Sequence, residues 1–387
     1  MPAAPESPVV ALTRELVRIN TTNPPGNEGP AVRVIEERLR RAGLETVVVP
    51  YADGENRSHV VGRLRGAGGK PGVLFSGHVD VVPPGDVPWS VGPFSAEQRD
   101  GRLYGRGACD MKGGVAALVT AAEVLAASGR RLRGDLVVAI TADEERNCLG
   151  ADALVQEPLF EGLGCALVAE PTALGLYVAE KGALWVEPRL QGKTAHGSMP
   201  ELGANAVAAM ADFLMRWEGY YTGLDAVHPL LGRPTLNVGA IQGGVKVNVV
   251  ADACWAQLDM RTVPPLEHAS LLARLDGTLR EVCDARPGVR WERRVLSDRP
   301  PVSCPADSPL ALALGRAVSE IAGVDAAPRG VPYCTEACVW VPHLGVPAVI
   351  CGPGSPTMPH QPDEYVEVRE LELAADIYAR VAGELLA

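Results

Sequence analysis

The chain has 387 residues, which is generous for one domain and comfortable for two. Apolar residues make up 47% and charged residues 21%, an ordinary globular composition. The formal net charge of -11 argues against nucleic acid or an anionic membrane as a general partner, although one Arg or a bound cation can reverse the field at a single site. Nine cysteines, an odd number without CxxC pairs, suit reduced thiols in the cytoplasm better than a disulfide framework. Residues 1–10 lack a basic stretch followed by an apolar core, so no secretory leader is expected. The longest purely apolar runs, such as 136–140, are too short to span a bilayer.

In chain order, Ser7 and Pro8 suit the cap and first turn of a helix carrying Val9, Leu12, Leu16 and Ile19 at helical spacing. A second helix is predicted over 30–42, with Gly43 after its end. Short β-rich segments follow at 45–49, 59–64 and 73–76, then a helix over 113–128, then strands at 136–141 and 165–169. Strands alternating with helices predict an α/β fold: a mostly parallel sheet with helices on both faces.

The middle of the chain has another rhythm. Strands near 183–190, 235–242, 248–261 and 289–295, with helices near 205–217 and 267–283, make a β-α-β-β-α-β order. That order predicts a ferredoxin-like α+β domain inserted into the first. We expect the catalytic domain over 1–178 and 299–387 and the insertion over 179–298. A helix over 308–321 and a strand over 346–351 return the chain to the α/β pattern.

Open α/β sheets bind ligands beyond the carboxyl ends of their strands. His78 and Asp80 follow one apolar strand, Glu144 and Glu145 the next, and Glu170 a third. Asp110 lies in a Gly-rich stretch that opens a helix, and His360 follows the last strand. Each alone has an ordinary structural explanation: a surface triplet, a helix start, a cap, a partner for Lys. Together, in one predicted cleft, so many carboxylates require cations to neutralise them. Imidazole and carboxylate are suitable ligands for zinc and related ions. Two His and several carboxylates invite two ions with a shared ligand, and an Asp held before a helix is a candidate for that bridge.

These stretches identify the chain as resembling the M20 family of co-catalytic zinc amidohydrolases. The matches are Ser76 to Asp80, Gly105 to Gly114, Thr141 to Glu145, Ala169 to Thr172, Gly192 to His196 and His360 to Glu364, in family order from end to end. The resemblance implies two zinc ions per subunit, with cobalt or manganese acceptable to the same ligands. It assigns His78 and Glu170 to one ion, Glu145 and His360 to the other, and Asp110 to both. It makes Glu144 the general base and gives Asp80 the task of accepting a hydrogen bond from His78. It also implies a cis peptide after Asp110.

In the insertion, His196 alone is an ordinary structural His. The resemblance instead has it reach across a homodimer interface to the scissile carbonyl, with Arg261 on the substrate carboxylate and Asn248 as a further contact. The insertion would then serve as both dimerisation unit and lid. Gly352 is either a tight turn or a place where backbone approaches substrate. The stretch around Thr335 and Glu336 resembles the acetylornithine deacetylase branch, where those two residues would read the substrate tail. The implied substrate is a small N-acylated amino acid, N2-acetylornithine first, in arginine biosynthesis. Succinyl-diaminopimelate, a dipeptide, or a binding protein that lost catalysis are the alternatives.

Overall fold

The computed structural model describes residues 6–52 and 56–387. The chain forms two compact units. The first takes residues up to 178 with 304–329 and 335–387, and the second takes 179–303 with 330–334.

The first unit is built on a sheet whose strands run in the order Glu45–Pro50, Ser58–Leu64, Leu136–Thr141, Gly72–His78, Leu163–Val168 and Ala348–Ile350. The last four are mutually parallel, while Ser58–Leu64 runs antiparallel to both its neighbours. Gly72–His78 and Leu136–Thr141 are buried at every position. Both their faces are therefore covered, which is why they read as continuous apolar runs rather than alternating ones. The helix Gly113–Ala127 packs into the same core, buried at every residue from Gly113 to Ala122.

Two features were not legible from sequence. The last segment, Val368–Leu386, is a helix with Leu371, Ala374, Ala375, Tyr378 and Ala382 turned to the core. The spacing is helical, but Glu367 before it makes no side-chain cap bond, so no start signal announces it. Three short strands, Glu97–Arg99, Arg102–Tyr104 and Tyr365–Glu367, form a separate small sheet. Its pairings, Tyr365 with Tyr104 and Val366 with Leu103, bring the loop before residue 365 alongside the loop after residue 104. Three-residue strands are too short for any periodicity to reveal.

The second unit holds a four-stranded antiparallel sheet in the order Thr235–Gly243, Ala253–Thr262, Gly182–Gln191, Arg290–Arg299. The helices Ala206–Thr222 and His268–Asp284 supply the α elements of the β-α-β-β-α-β order. Along Ala253–Thr262 the residues Cys254, Ala256, Leu258, Met260 and Thr262 are buried and the alternate ones are not, as expected of a sheet covered on one face. This strand begins five residues later than predicted. Residues 248–252 are loop, so Asn248 is an exposed loop residue. With Val302–Ser303 paired to Glu180 and Ala179, this unit ends at residue 303.

Glu336 lies within the first unit, where it is wholly buried. Ser76 donates to its Oε2 at 2.6 Å and Thr141 donates to its Oε1. Trp340 Nε1 donates in turn to Ser76 Oγ at 2.7 Å. One carboxylate thus ties the ends of two parallel strands to the helix Ala337–Leu344. Both its oxygens are engaged by protein, so the structure places it beneath the site rather than open to a substrate tail. Thr335 is likewise fully buried, its Oγ1 accepting the Ala337 N–H at 3.1 Å. Replacing Glu336 by Ala strands two buried hydroxyls, and thermal or urea unfolding of Glu336→Ala is expected to show a loss of about 1–3 kcal/mol. Glu336→Gln, which keeps an acceptor, is expected to lose less.

Candidate metal centre

The parallel strands deliver the acidic and imidazole side chains to one place. His78 is the last residue of its strand, Glu144 and Glu145 follow Leu136–Thr141 by three and four positions, and Glu170 follows Leu163–Val168 by two. Asp110 sits in the turn that leads into the helix Gly113–Ala127, with extended φ and ψ of -119° and 98°. Its peptide bond to Met111 is cis.

The geometry turns on Asp110. Its Oδ1 lies 3.2 Å from His78 Nε2 and its Oδ2 lies 3.4 Å from His360 Nε2. On the His78 side, Glu170 Oε1 is 3.5 Å from the same ring nitrogen. On the other side, Glu145 Oε2 is 3.2 Å from His360 Nε2. Two half-sites therefore share one carboxylate. An ion bound about 2.1 Å from each ligand in tetrahedral geometry separates those ligands by about 3.4 Å. The observed spacings match that requirement, and the donor set of imidazole and carboxylate suits zinc or similar divalent ions. Potential ligand atoms of His78, Asp110 and Glu145, and of His78, Glu144 and Glu170, all fall within 4.8 Å of one another. Glu144 Oε2 is 3.8 Å from His78 Nε2, facing the cluster from just outside the half-sites.

The acids are held by an outer ring of hydrogen bonds that sequence reasoning largely missed. Asp80 is fully buried. Its carboxylate accepts the backbone N–H of Glu144 at 3.0 Å, that of Glu145 at 3.1 Å, and the Asn23 amide at 2.9 Å. This corrects the expectation that it would take a hydrogen bond from His78. His78 Nδ1 instead meets the Asp80 backbone carbonyl at 3.0 Å, while the carboxylate oxygen is 3.6 Å away. The side chain is drawn off because two amide donors in the following turn outcompete one ring N–H. Glu364 does the same for Asp110, its Oε1 accepting the N–H of Cys109 at 2.9 Å and of Asp110 at 3.0 Å while Oε2 meets Arg106 at 2.5 Å. A buried acid facing an Arg more than 250 positions away leaves no trace in spacing.

Gly352 is buried against the backbone that carries Glu170. A Cβ there would come within 2.2 Å of the Ala169 carbonyl oxygen and 2.4 Å of that of Glu170. Thr172 Oγ1 accepts its N–H at 3.0 Å. Only a residue without a side chain fits so close to the backbone of the Glu170 loop.

Without cations the cluster is strongly perturbed. Burial, followed by the charge of Asp110, pushes Glu170 up to about 8. Burial, again reinforced by Asp110, raises Glu145. Burial drives Glu144 well above the ordinary carboxylate range. Hydrogen bonds to Asp110 and Glu145 push His360 up to about 10. Burial opposes protonation of His78, but the acids around it, Glu144 foremost, hold it well above its usual value. Burial also opposes ionisation of Asp110, yet hydrogen bonds from His360 and His78 hold it below its usual value.

In the second unit, His196 and Asn248 are exposed neighbours, with Gly197 N donating to the Asn248 carbonyl at 2.8 Å. The His196 ring meets Ser198 Oγ at 2.7 Å through Nδ1. Arg261 lies on Ala253–Thr262, its Nε 2.9 Å from Asp259 Oδ1 and its guanidinium carbon 5.9 Å from the Trp185 ring centre.

The model of peptidase family M20/M25/M40 matches residues 74–384. The chain belongs to this family. It is 34% identical over 387 aligned residues to an acetylornithine deacetylase from Myxococcus xanthus, covering 96% of each sequence. Among solved structures it is similar to aminopeptidase PepT from Bacillus cereus, with a TM-score of 0.81 and 21% identity over 98% of both chains. It is also similar to the YXEP protein of Bacillus subtilis, a dinuclear metal binding peptidase, with a TM-score of 0.74 and 16% identity over 98% of this chain and 97% of that one. The two structures share the fold. The family membership and the ligand cluster make the protein a metal-dependent hydrolase of amide bonds. Among the described residues no helix is long and apolar enough to cross a membrane.

Metal binding is expected to release protons. Glu170 near 8 and His360 near 10 are both protonated at neutral pH in the metal-free protein, and both must lose a proton to act as ligands. Apparent affinity is therefore expected to rise with pH across neutrality. Isothermal calorimetry in buffers of differing ionisation enthalpy checks the proton count, and an affinity indifferent to pH would contradict this account.

Proposed function

We propose that this enzyme is a dinuclear zinc deacetylase that hydrolyses N2-acetylornithine to ornithine and acetate. The observation that carries the dinuclear reading is the division of the Asp110 carboxylate, one oxygen toward His78 and the other toward His360. The substrate reading is supported by likeness to the Myxococcus xanthus acetylornithine deacetylase over nearly the whole of both sequences.

His78 and Glu170 would hold one ion, Glu145 and His360 the other, with Asp110 between them. Bound there, two divalent ions supply an acidified water and polarisation of the amide carbonyl. Glu144, with Oε2 toward the cluster, accepts a proton from the attacking water. It then passes that proton to the departing amine nitrogen as the C–N bond breaks. A carboxyl whose burial holds it above its ordinary range suits both tasks. Asp80 and Glu364 hold the two acidic loops in place throughout.

His196 would donate to the oxyanion, Arg261 would grip the substrate carboxylate and Asn248 would add a further contact. A homodimer is supported by the edge strand Thr235–Gly243 and the loop after it, where Val238, Ile241, Val245 and Val247 are exposed apolar side chains. We place the enzyme in the cytoplasm, releasing ornithine for arginine synthesis.

A substrate panel with zinc added tests the reading. N2-Acetylornithine is expected to be turned over with kcat/KM at least about 10-fold above succinyl-diaminopimelate and a dipeptide. Preference for either of those moves the assignment to a desuccinylase or a peptidase. Glu144→Ala is expected to retain its metal and lose about 10²–10⁴-fold in kcat.

A further inference from the structure

The general-base carboxylate has two oxygens, and only one faces the metal cluster. The other has a partner outside the ligand set. Cys148 Sγ donates to Glu144 Oε1 at 3.2 Å. The local backbone sets this up: the Cys148 N–H donates to the Glu144 carbonyl at 2.7 Å, and Asn147 and Cys148 take left-handed φ values of 74° and 55°. The chain therefore curls back and puts the thiol against the carboxylate four residues earlier. Cys338, from the helix Ala337–Leu344, stands 4.0 Å from Cys148 as a donor to its sulfur. Both cysteines are buried, at 3% and 1% exposure, so water does not compete for these contacts.

We propose that Cys148 is a positioning residue for the hydrolysis, its S–H holding Oε1 of Glu144 so that Oε2 is the oxygen that moves the proton. The inference rests on the reading of Glu144 as general base. The carboxylate follows its strand by three residues and is not itself a ligand in the proposed half-sites, so coordination does not set its rotation and the thiol contact on Oε1 does. A thiol is a weak neutral donor. It orients the carboxylate while leaving most of its basicity, whereas a Lys or Arg in the same place would depress that basicity. Contact with Cys338 and burial hold the Cys148 thiol well above its ordinary value, so the donor keeps its proton at neutral pH.

The S–H stretching region of the Raman spectrum tests the contact in the metal-free protein, without reference to activity. The difference spectrum between wild type and Glu144→Gln is expected to show one S–H band, at low frequency in the wild type, moving to higher frequency as the carboxyl acceptor is replaced. Superimposable spectra would overturn the assignment. In the zinc-loaded enzyme, Cys148→Ala is expected to lower kcat about 10-fold with KM and metal content unchanged. Cys148→Ser, which retains a donor, is expected to return to within about threefold of wild type. A wild-type kcat in Cys148→Ala, or a loss that Ser does not repair, overturns the role. If Cys148→Ala fails to fold, the Raman comparison and Cys148→Ser still decide. Retained turnover in Glu144→Ala removes the general-base reading itself, and is distinguished from an S–H band that simply ignores Glu144.

Discussion

Mutual repulsion among Asp110, Glu144, Glu145 and Glu170 is the constraint on which this structure depends. Four carboxylates gathered around His78 in a largely buried site would separate, or take up protons, unless something held them and something neutralised them. Burial and the neighbouring acids raise Glu144, Glu145 and Glu170 above the ordinary carboxylate range. Divalent cations held by the same groups would offset that repulsion.

Holding the acids falls to backbone amides rather than to the ligands themselves. Asp80 grips the turn bearing Glu144 and Glu145, and Glu364 grips the turn bearing Asp110. Each is a buried carboxylate with its own neutral or cationic partner, Asn23 for one and Arg106 for the other. Buried polar groups satisfied in this way make rigid supports, and a ligand on a rigid support keeps its position when its charge is opposed. Glu336 extends the same logic to the strand ends beneath, joining Ser76 and Thr141. Proposed roles for Glu144 and Cys148 then concern the one acid whose task is to move a proton rather than to bind an ion.

The second unit contributes a different kind of surface. Its sheet is covered on one side, and exposed valines lie along its edge strand Thr235–Gly243 and in the loop that follows. His196 and Asn248 are exposed on two loops that backbone hydrogen bonds hold side by side. Side chains so placed suit groups that meet a substrate or a partner surface after folding is complete.

Much of the site was legible in the sequence because sheet topology is simple: a ligand placed just after an apolar strand of a parallel sheet must lie at that sheet's carboxyl edge. His78, Glu144, Glu145 and Glu170 follow from that rule, and the split βαβ order of the second unit follows from the change in periodicity. The roles of Asp80 and Glu336 did not follow. Each is polar and near a motif, and proximity in sequence cannot tell a side chain that meets a ligand from one that supports the backbone beneath it. Glu364, Asn23 and the Cys148–Cys338 pair were invisible for a related reason. A hydrogen bond between residues far apart in the chain, such as Glu364 with Arg106, depends on the packing of loops joined by strands only three residues long. Local sequence thus determined which chemistry gathers at the sheet edge. Long-range packing alone decided which acids turn into the cluster and which hold the others still.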